Sequence, residues 1–523
     1  MKKFDHNDDD VIVVIGSGAG GGTLSHELAA KGVNVVCLEA GKKLDWKTDF
    51  VNDEWEMFSR TAWLDKRTTS GDWRIARDFP NLPAWICKTV GGTTLHWAGA
   101  SLRIQEHEFK ARTNYGEVAG ANLLDWPLDA DELSPYYDRA EDKLGVTRTN
   151  GIEGLPGSNN YKVFEAGAKK VGYQNVHTGR MAINSAPRDG RGACQQLGFC
   201  FQGCRMGAKW STLYSEVPKA EQTDRFELRP ESTVVQITHN AAGKVDGVIY
   251  HDASGAQQRQ KARAVCVAGN SIETPRLLLH SASAKFPDGM ANSSGQVGRN
   301  YMRHTTGSVY AIFDNPVHMF RGTTMAGICT DESRLDTKRG FVGGYEMETL
   351  ALGLPFMAAF LNPGGWGQRF AELMDGYDHM AGMWIVGEDM PQESNRIALH
   401  PDEKDEHGVP IPNVHFDDHE NDTAMRNHAF AAGRKIYEAV GAKRVVETPP
   451  YPSTHNLGTC RMSDKPRDGV ANQWGRAHDI PNLFISDGSQ FPTGAAENPT
   501  LTIVALAIRQ ADHITELMAN RDL

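Results

Sequence analysis

Short apolar runs with little polar interruption mark residues 11–15, 33–38, 262–268 and 483–486. Such runs suit strands covered on both faces, as in a parallel sheet. Elsewhere the period becomes helical. Residues 129–144 place Leu133, Tyr136, Tyr137, Ala140 and Leu144 on one face, and 272–281 carry Pro275 in the first turn. Further helices are predicted over 422–440 and about 500–518. Residues 226–238, 244–251 and 306–400 alternate apolar and polar positions between glycines, which predicts antiparallel strands. Residues 44–85 show weak periodicity and read as an irregular excursion, and no internal repeat is present. The parallel-type strands come from three separated stretches, which points to an α/β fold (α+β overall).

The first strand runs into Gly16-Ser-Gly-Ala-Gly-Gly21, so Gly16, Gly18 and Gly21 fall at G-x-G-x-x-G spacing. Gly16 permits the turn, Gly18 lets a pyrophosphate approach the backbone, and Gly21 lets the following helix pack on its strand. The phosphates would lie at the positive end of that helix. The second strand ends at Glu39, where a carboxylate can accept both hydroxyls of an adenosine ribose and disfavours a 2′-phosphate. These features predict a Rossmann-like dinucleotide site without separating NAD from FAD. The glycines and hydroxyls of Gly91-Gly92-Thr93-Thr94 suit a turn laid against a ligand.

At 523 residues the chain is long enough for two large domains, and a net charge of −11 with no basic stripe argues against a nucleic-acid surface. The N-terminal stretch has no apolar h-region, and no apolar run reaches the roughly 20 residues of a membrane span. Export or membrane attachment would then require a partner. Of eight cysteines, Cys37, Cys87, Cys266, Cys329 and Cys460 are scattered and read as buried thiols. Cys194, Cys200 and Cys204 stand at C-x5-C-x3-C in a glycine-rich loop, beside Arg191, Arg205 and Lys209, whose charge would offset thiolates. The loop lacks the paired cysteines or histidine of a zinc site. Three thiolates suit an iron–sulfur cluster lacking one corner iron; a disulfide plus one thiol, or three inert thiols, are the alternatives.

The chain resembles the glucose-methanol-choline (GMC) flavin oxidoreductases. The likeness rests on the N-terminal glycine motif and Glu39-Ala-Gly, Gly91-Gly-Thr-Thr, 268–279 and Val-Gly-Arg-Asn-Tyr-Met-Arg-His304. It continues through His455-Asn-Leu-Gly-Thr, Asp487-Gly-Ser and Asn498-Pro-Thr-Leu-Thr, and spans nearly the whole length in the family's order. It implies FAD. It also implies a discontinuous Rossmann-like FAD-binding domain (1–105, 215–305 and 450–523), with 106–214 as a cluster-bearing insertion. Residues 306–449 would form a substrate domain on a mostly antiparallel sheet. Within the family, Leu95-His96-Trp97 and the cysteine loop look most like the catalytic subunits of bacterial FAD-dependent sugar dehydrogenases. In that group a 3Fe–4S cluster is held at this cysteine spacing. A second cysteine usually stands beside the first, where this chain has Gln195.

By motif match, His455 is the expected base and Asn498 its hydrogen-bonding companion. Gly91, Gly92, Thr93 and Thr94 would line pyrophosphate and flavin, Val234 the adenine, Asp487 and Gly488 the ribityl and phosphate region, and Asn498, Pro499 and Thr500 the pyrimidine edge. His96 either bonds covalently to the flavin or packs near its ring. The activity implied is oxidation of a sugar or glycoside hydroxyl, glucose C1 or glucoside C3. Electrons would leave through the cluster to a cytochrome c-type acceptor, in a periplasmic or membrane-associated assembly with a small signal-bearing subunit; without a partner the chain would be cytoplasmic. The alternatives are a gluconate- or sorbitol-type polyol dehydrogenase, a peroxide-forming alcohol oxidase without a cluster, and a flavin-binding sensor without turnover. Trp366, Trp384, Gln392 and Asn395 fit sugar binding and core packing equally.

Overall fold

The computed structural model describes residues 2–54, 56–57, 70–71, 86–362, 364–451, 453 and 455–523. Most of the expected 44–85 excursion therefore lies outside the described residues.

A five-stranded parallel sheet runs in the order Leu483–Ile485, Ala264–Val267, Ile12–Ile15, Val35–Leu38, Phe226–Arg229. The unbroken apolar runs are explained by cover on both faces. Val13, Ile15, Val36 and Val265 pack under an antiparallel meander of Thr233–His239, Val245–His251 and Gln257–Lys261. Ile12, Val14, Val35 and Cys37 pack on the other side against the helices Ala19–Ala30 and Thr500–Ala519. The amphipathic helix Ala130–Leu144, capped by Asp129 and ended by Gly145 in the left-handed region, lies against Thr500–Ala519.

A second, six-stranded antiparallel sheet runs Arg444–Glu447, Thr305–Ile312, Met380–Gly387, Tyr345–Thr349, Gly327–Cys329, Val176–Thr178. The helices Asn159–Lys170 and Glu420–Ala439 cover one face. Ser308, Trp384 and Glu348 stand side by side across three neighbouring strands, and Ser308 and Trp384 border the cavity between the two sheets.

Some elements differ from expectation. The 226–238 run breaks at Pro230. Its first half joins the parallel sheet and its second opens the meander, because proline donates no ladder hydrogen bond. The helix around Pro275 is Asn270–His280, so the proline lies inside it. The Ser271 carbonyl that Pro275 cannot bond accepts the Thr459 hydroxyl at 2.8 Å instead. The stretch 306–400 also contains two helices, Leu354–Leu361 and Gln368–Asp375. The first reads Leu-Pro-Phe-Met-Ala-Ala-Phe-Leu, too uniformly apolar to show a helical period.

Candidate active site

One continuous cavity runs from the carboxyl ends of the parallel strands to the antiparallel sheet, with Glu39 at one end and His455 at the other. The glycine turn forms its floor. Gly16 has φ +95°, and a Cβ there would lie 2.5 Å from the Ala268 carbonyl. A Cβ on Gly21 would meet the Gly16 carbonyl at 2.1 Å, so Gly21 serves helix packing rather than the cavity wall. Gly20 is tighter still: its Cβ would sit 1.7 Å from the Ser486 carbonyl. Spacing alone singled out Gly21 and passed over Gly20.

Glu39 is buried and pre-set. One oxygen accepts the Ser17 amide (3.0 Å) and hydroxyl (2.6 Å), and the other accepts the Gly41 amide (2.9 Å). Burial pushes its carboxyl up and the Ser17 hydrogen bonds oppose the rise. The Gly91 amide donates to the Ser17 hydroxyl at 3.0 Å, which ties the second glycine pair to the first turn. Gly91 (φ +96°) sits behind the wall, while Gly92, Thr93, Thr94 and His96 line the cavity. Val234 borders the Glu39 end. Asp487 holds the opposite wall, accepting the Asn270 amide (2.9 Å), the Thr274 hydroxyl (2.6 Å) and the Ser489 amide (2.8 Å). Gly488, Asn498, Pro499 and Thr500 complete it, and Pro499 caps the helix Thr500–Ala519, whose positive end faces the cavity. Cys87 is half-buried and lines the cavity, a correction to its reading as a buried thiol; desolvation pushes its thiol up to about 12.

At the far end, His455 Nδ1 lies 2.9 Å from His304 Nδ1, with the rings at 89°. Trp384 stands 5.6 Å from the His455 ring, centre to centre. Burial, then the neighbouring His304, holds His455 well below the usual histidine range. Asn498 stands beside Glu348, a buried carboxyl pushed up to about 8 by desolvation. The structure thus brings His455 and Asn498 to the same cavity. It does not bring Trp366, Gln392 or Asn395 there. Trp366 is 89% exposed, and Gln392 and Asn395 both donate to the Asp417 carbonyl. His304 and Glu348 were not expected; a histidine at the end of the 297–304 motif gives no hint of its partner across the chain.

The cysteine loop abuts this site without lining it. His96 Nδ1 pairs with the Phe201 carbonyl at 2.5 Å, and burial holds the ring down to about 4. The buried Lys209 ammonium donates to the carbonyls of Leu95 (2.7 Å), Trp97 (2.6 Å) and Cys200 (2.7 Å). It therefore staples the loop to the 92–97 turn, and it also feels the charge of Cys200 and Cys204, as expected from its position. Arg191 similarly donates to the Gly207 carbonyl, and Arg205 is exposed. None of the eight cysteines is in a disulfide. Cys194 feels the charge of both Cys200 and Cys204, and backbone amides of Gln196 and Lys209 point to Cys194 and Cys204 sulfur at 3.4 and 3.5 Å. The donor chemistry suits iron–sulfur ligation, but among the described residues no three His, Cys, Asp or Glu are arranged to hold a metal ion.

A phosphate-accepting glycine turn that opens onto an imidazole defines a nucleotide-dependent oxidoreductase. The chain belongs to the GMC oxidoreductase family: the family's N-terminal region matches residues 76–306 and its C-terminal region 391–507. It is 33% identical to 2-methyl-1,2-propanediol dehydrogenase of Mycolicibacterium austroafricanum, over 97% of this chain and 95% of that one. It is 30% identical to the fructose dehydrogenase large subunit of Gluconobacter japonicus, over 96% and 97%. Among solved structures, pyridoxine 4-oxidase from Mesorbium loti superposes with a TM-score of 0.70 at 17% identity, covering 97% of this chain and 99% of that one. The fold is thus the GMC fold with a Rossmann-like FAD-binding domain, and the enzyme is an FAD-dependent oxidoreductase. The cradle fits that cofactor: the side-chain-free floor at Gly16 and Gly18 leaves the backbone open to a pyrophosphate, and Glu39 lines the same cavity with a carboxylate that could accept ribose hydroxyls.

Proposed function

We propose that the protein is an FAD-dependent dehydrogenase that oxidises a hydroxyl of a sugar, glycoside or small polyol. The observation that carries this is His455, half-buried on the cavity wall, with Nδ1 tied back to His304 at 2.9 Å. Removing hydride from an alcohol carbon builds positive charge there unless the hydroxyl proton departs as well, so a base must stand at that oxygen. His455 takes the proton. Asn498 donates its amide to the same oxygen and keeps it near the imidazole. Trp384 supplies an apolar wall that limits water at the reacting carbon. Bound FAD supplies the hydride acceptor, held by Glu39, the glycine turn, Thr93, Thr94, Asp487 and the Thr500 helix end. The relatives named for a diol and for fructose support polyols and sugars as the substrate class. The test is a screen of 2-methyl-1,2-propanediol, fructose, glucose, gluconate, sorbitol, sucrose and lactose with a dye acceptor. Turnover of none of these, with flavin bound, would overturn the reading.

The same reading extends to electron exit. Cys194, Cys200 and Cys204 would hold a 3Fe–4S cluster, which would supply single-electron transfer to a cytochrome c-type partner, in an exported assembly with a small signal-bearing subunit. Their spacing, the two amides directed at sulfur and the Lys209 staple to the flavin turn support this. So does a relative described as a large subunit. Iron and acid-labile sulfide in the purified protein are the test, and air reoxidising the flavin as fast as a dye would favour a peroxide-forming oxidase. If His96 carries the flavin, acid precipitation leaves the yellow colour in the pellet; full release assigns His96 a packing role.

A further inference from the structure

We infer that His304 is a positioning residue that fixes the proton of His455 on Nδ1 and so leaves Nε2 bare toward the substrate. The inference rests on His455 acting as the base. A hydrogen bond between two imidazole nitrogens needs one proton, and the Nδ1–Nδ1 separation is 2.9 Å. Which ring supplies that proton follows from the other side of His304. Its Nε2 lies 3.1 Å from the Gly494 carbonyl, which only accepts, so His304 carries its proton on Nε2. His304 is 1% exposed, and burial holds it down to about 4, so the ring is neutral near pH 7. A neutral ring with a proton on Nε2 has a lone pair on Nδ1. The proton in the shared bond therefore belongs to His455, whose Nε2 is left with the lone pair a base requires. In water a neutral imidazole side chain favours the opposite tautomer, which would present a donor to the hydroxyl rather than an acceptor.

The backbone is built to hold this arrangement. His304 sits in the left-handed region at φ +62°. The two carboxylate oxygens of Asp389 accept the amides of Arg303 (2.7 Å) and His304 (3.0 Å) and lock that kink. Gly494 brings its carbonyl close; a Cβ there would stand 3.2 Å from the His304 ring. The charged or titratable groups around the pair are Asp389 and Arg303 beside it, Glu388 and Asp422 near Asp389, and Glu348 next to Asn498.

The test is nitrogen NMR of flavin-loaded protein labelled in its histidine side chains, with His455 assigned by loss of its signal in H455Q. A bare Nε2 and protonated Nδ1 on His455 are expected in the wild type. A protonated Nε2 overturns the inference without reference to turnover. Two variants add a kinetic reading. H304N tolerates the left-handed backbone and places an amide oxygen where Nδ1 stands, whereas H304Q with its amide nitrogen on the Gly494 carbonyl holds its oxygen away from the Nδ1 position. H304Q should lower kcat about 10²-fold with KM changed less than about twofold, and H304N should recover most of the loss. Equal losses in both variants, with flavin still bound, overturn the inference. Full turnover in H455Q would instead overturn the base itself.

Discussion

At His455 the chemistry depends on one lone pair. Replacing the imidazole by a glutamine amide removes the base while keeping a polar group; H455Q should lower kcat about 10³-fold. N498A should lower it about 10²-fold, since the amide would act only as the oxygen gains charge. Single-turnover reduction of the flavin checks both. The pH dependence has a definite sign. A base works only when deprotonated, and burial holds His455 well below the ordinary histidine value of 6.5. The acid limb of kcat/KM should therefore lie below that value. A limb at or above it would mean that His455 is solvated in the working enzyme.

Among the elements, the first βα unit meets the rest of the chain at Gly20, on the helix Ala19–Ala30. G20A drives a methyl into the Ser486 carbonyl. The expected result is protein that purifies without flavin, read from the absorbance ratio at 450 and 280 nm. Gly32 is the control: φ is +85°, but nothing lies within 4 Å of a Cβ, so G32A should cost about 1 kcal/mol and keep the flavin. The contrast marks what was legible. The parallel strands and the glycine turn were plain because cover on both faces and phosphate approach leave local signatures. The tightness at Gly20 depends on Ser486, more than 400 positions away, and has no local signature. For the same reason two candidate polar side chains, Gln392 and Asn395, proved to brace Asp417, while Trp384 alone of the four candidates reached the cavity. Lys209 was legible as a thiolate neighbour, but its carbonyl partners were not, because they are set by the packing of two loops. K209M leaves those carbonyls without their cation and should loosen the 92–97 turn, seen as weaker flavin retention on gel filtration.

For the whole molecule, burial sets the pH window of stability. Glu348, Glu388 and Glu497 are each pushed up to about 8, above the ordinary 4.5. The fold therefore keeps protons that the unfolded chain releases, and this stability is lost as pH rises from 4.5 toward 8. His96 and His304 act oppositely. Held down to about 4, they cost stability as pH falls from 6.5 toward 4. Above pH 6.5 the three carboxyls outweigh the two histidines, whose unfolded forms are by then mostly neutral, so Tm should decline between pH 6.5 and 8 in scanning fluorimetry. E388Q, which keeps an oxygen for the Tyr115 hydroxyl, should flatten that decline.

The order of the parallel sheet also governs how the enzyme is made. The edge of Ala264–Val267 stays open until Leu483–Ile485 arrives. A ribosome must therefore add more than 200 residues after Val267 before the nucleotide cradle closes. Until then the nascent protein exposes a bare apolar strand edge to its surroundings. Extra chaperone during expression should therefore raise the yield of folded enzyme, read as soluble flavin-loaded protein.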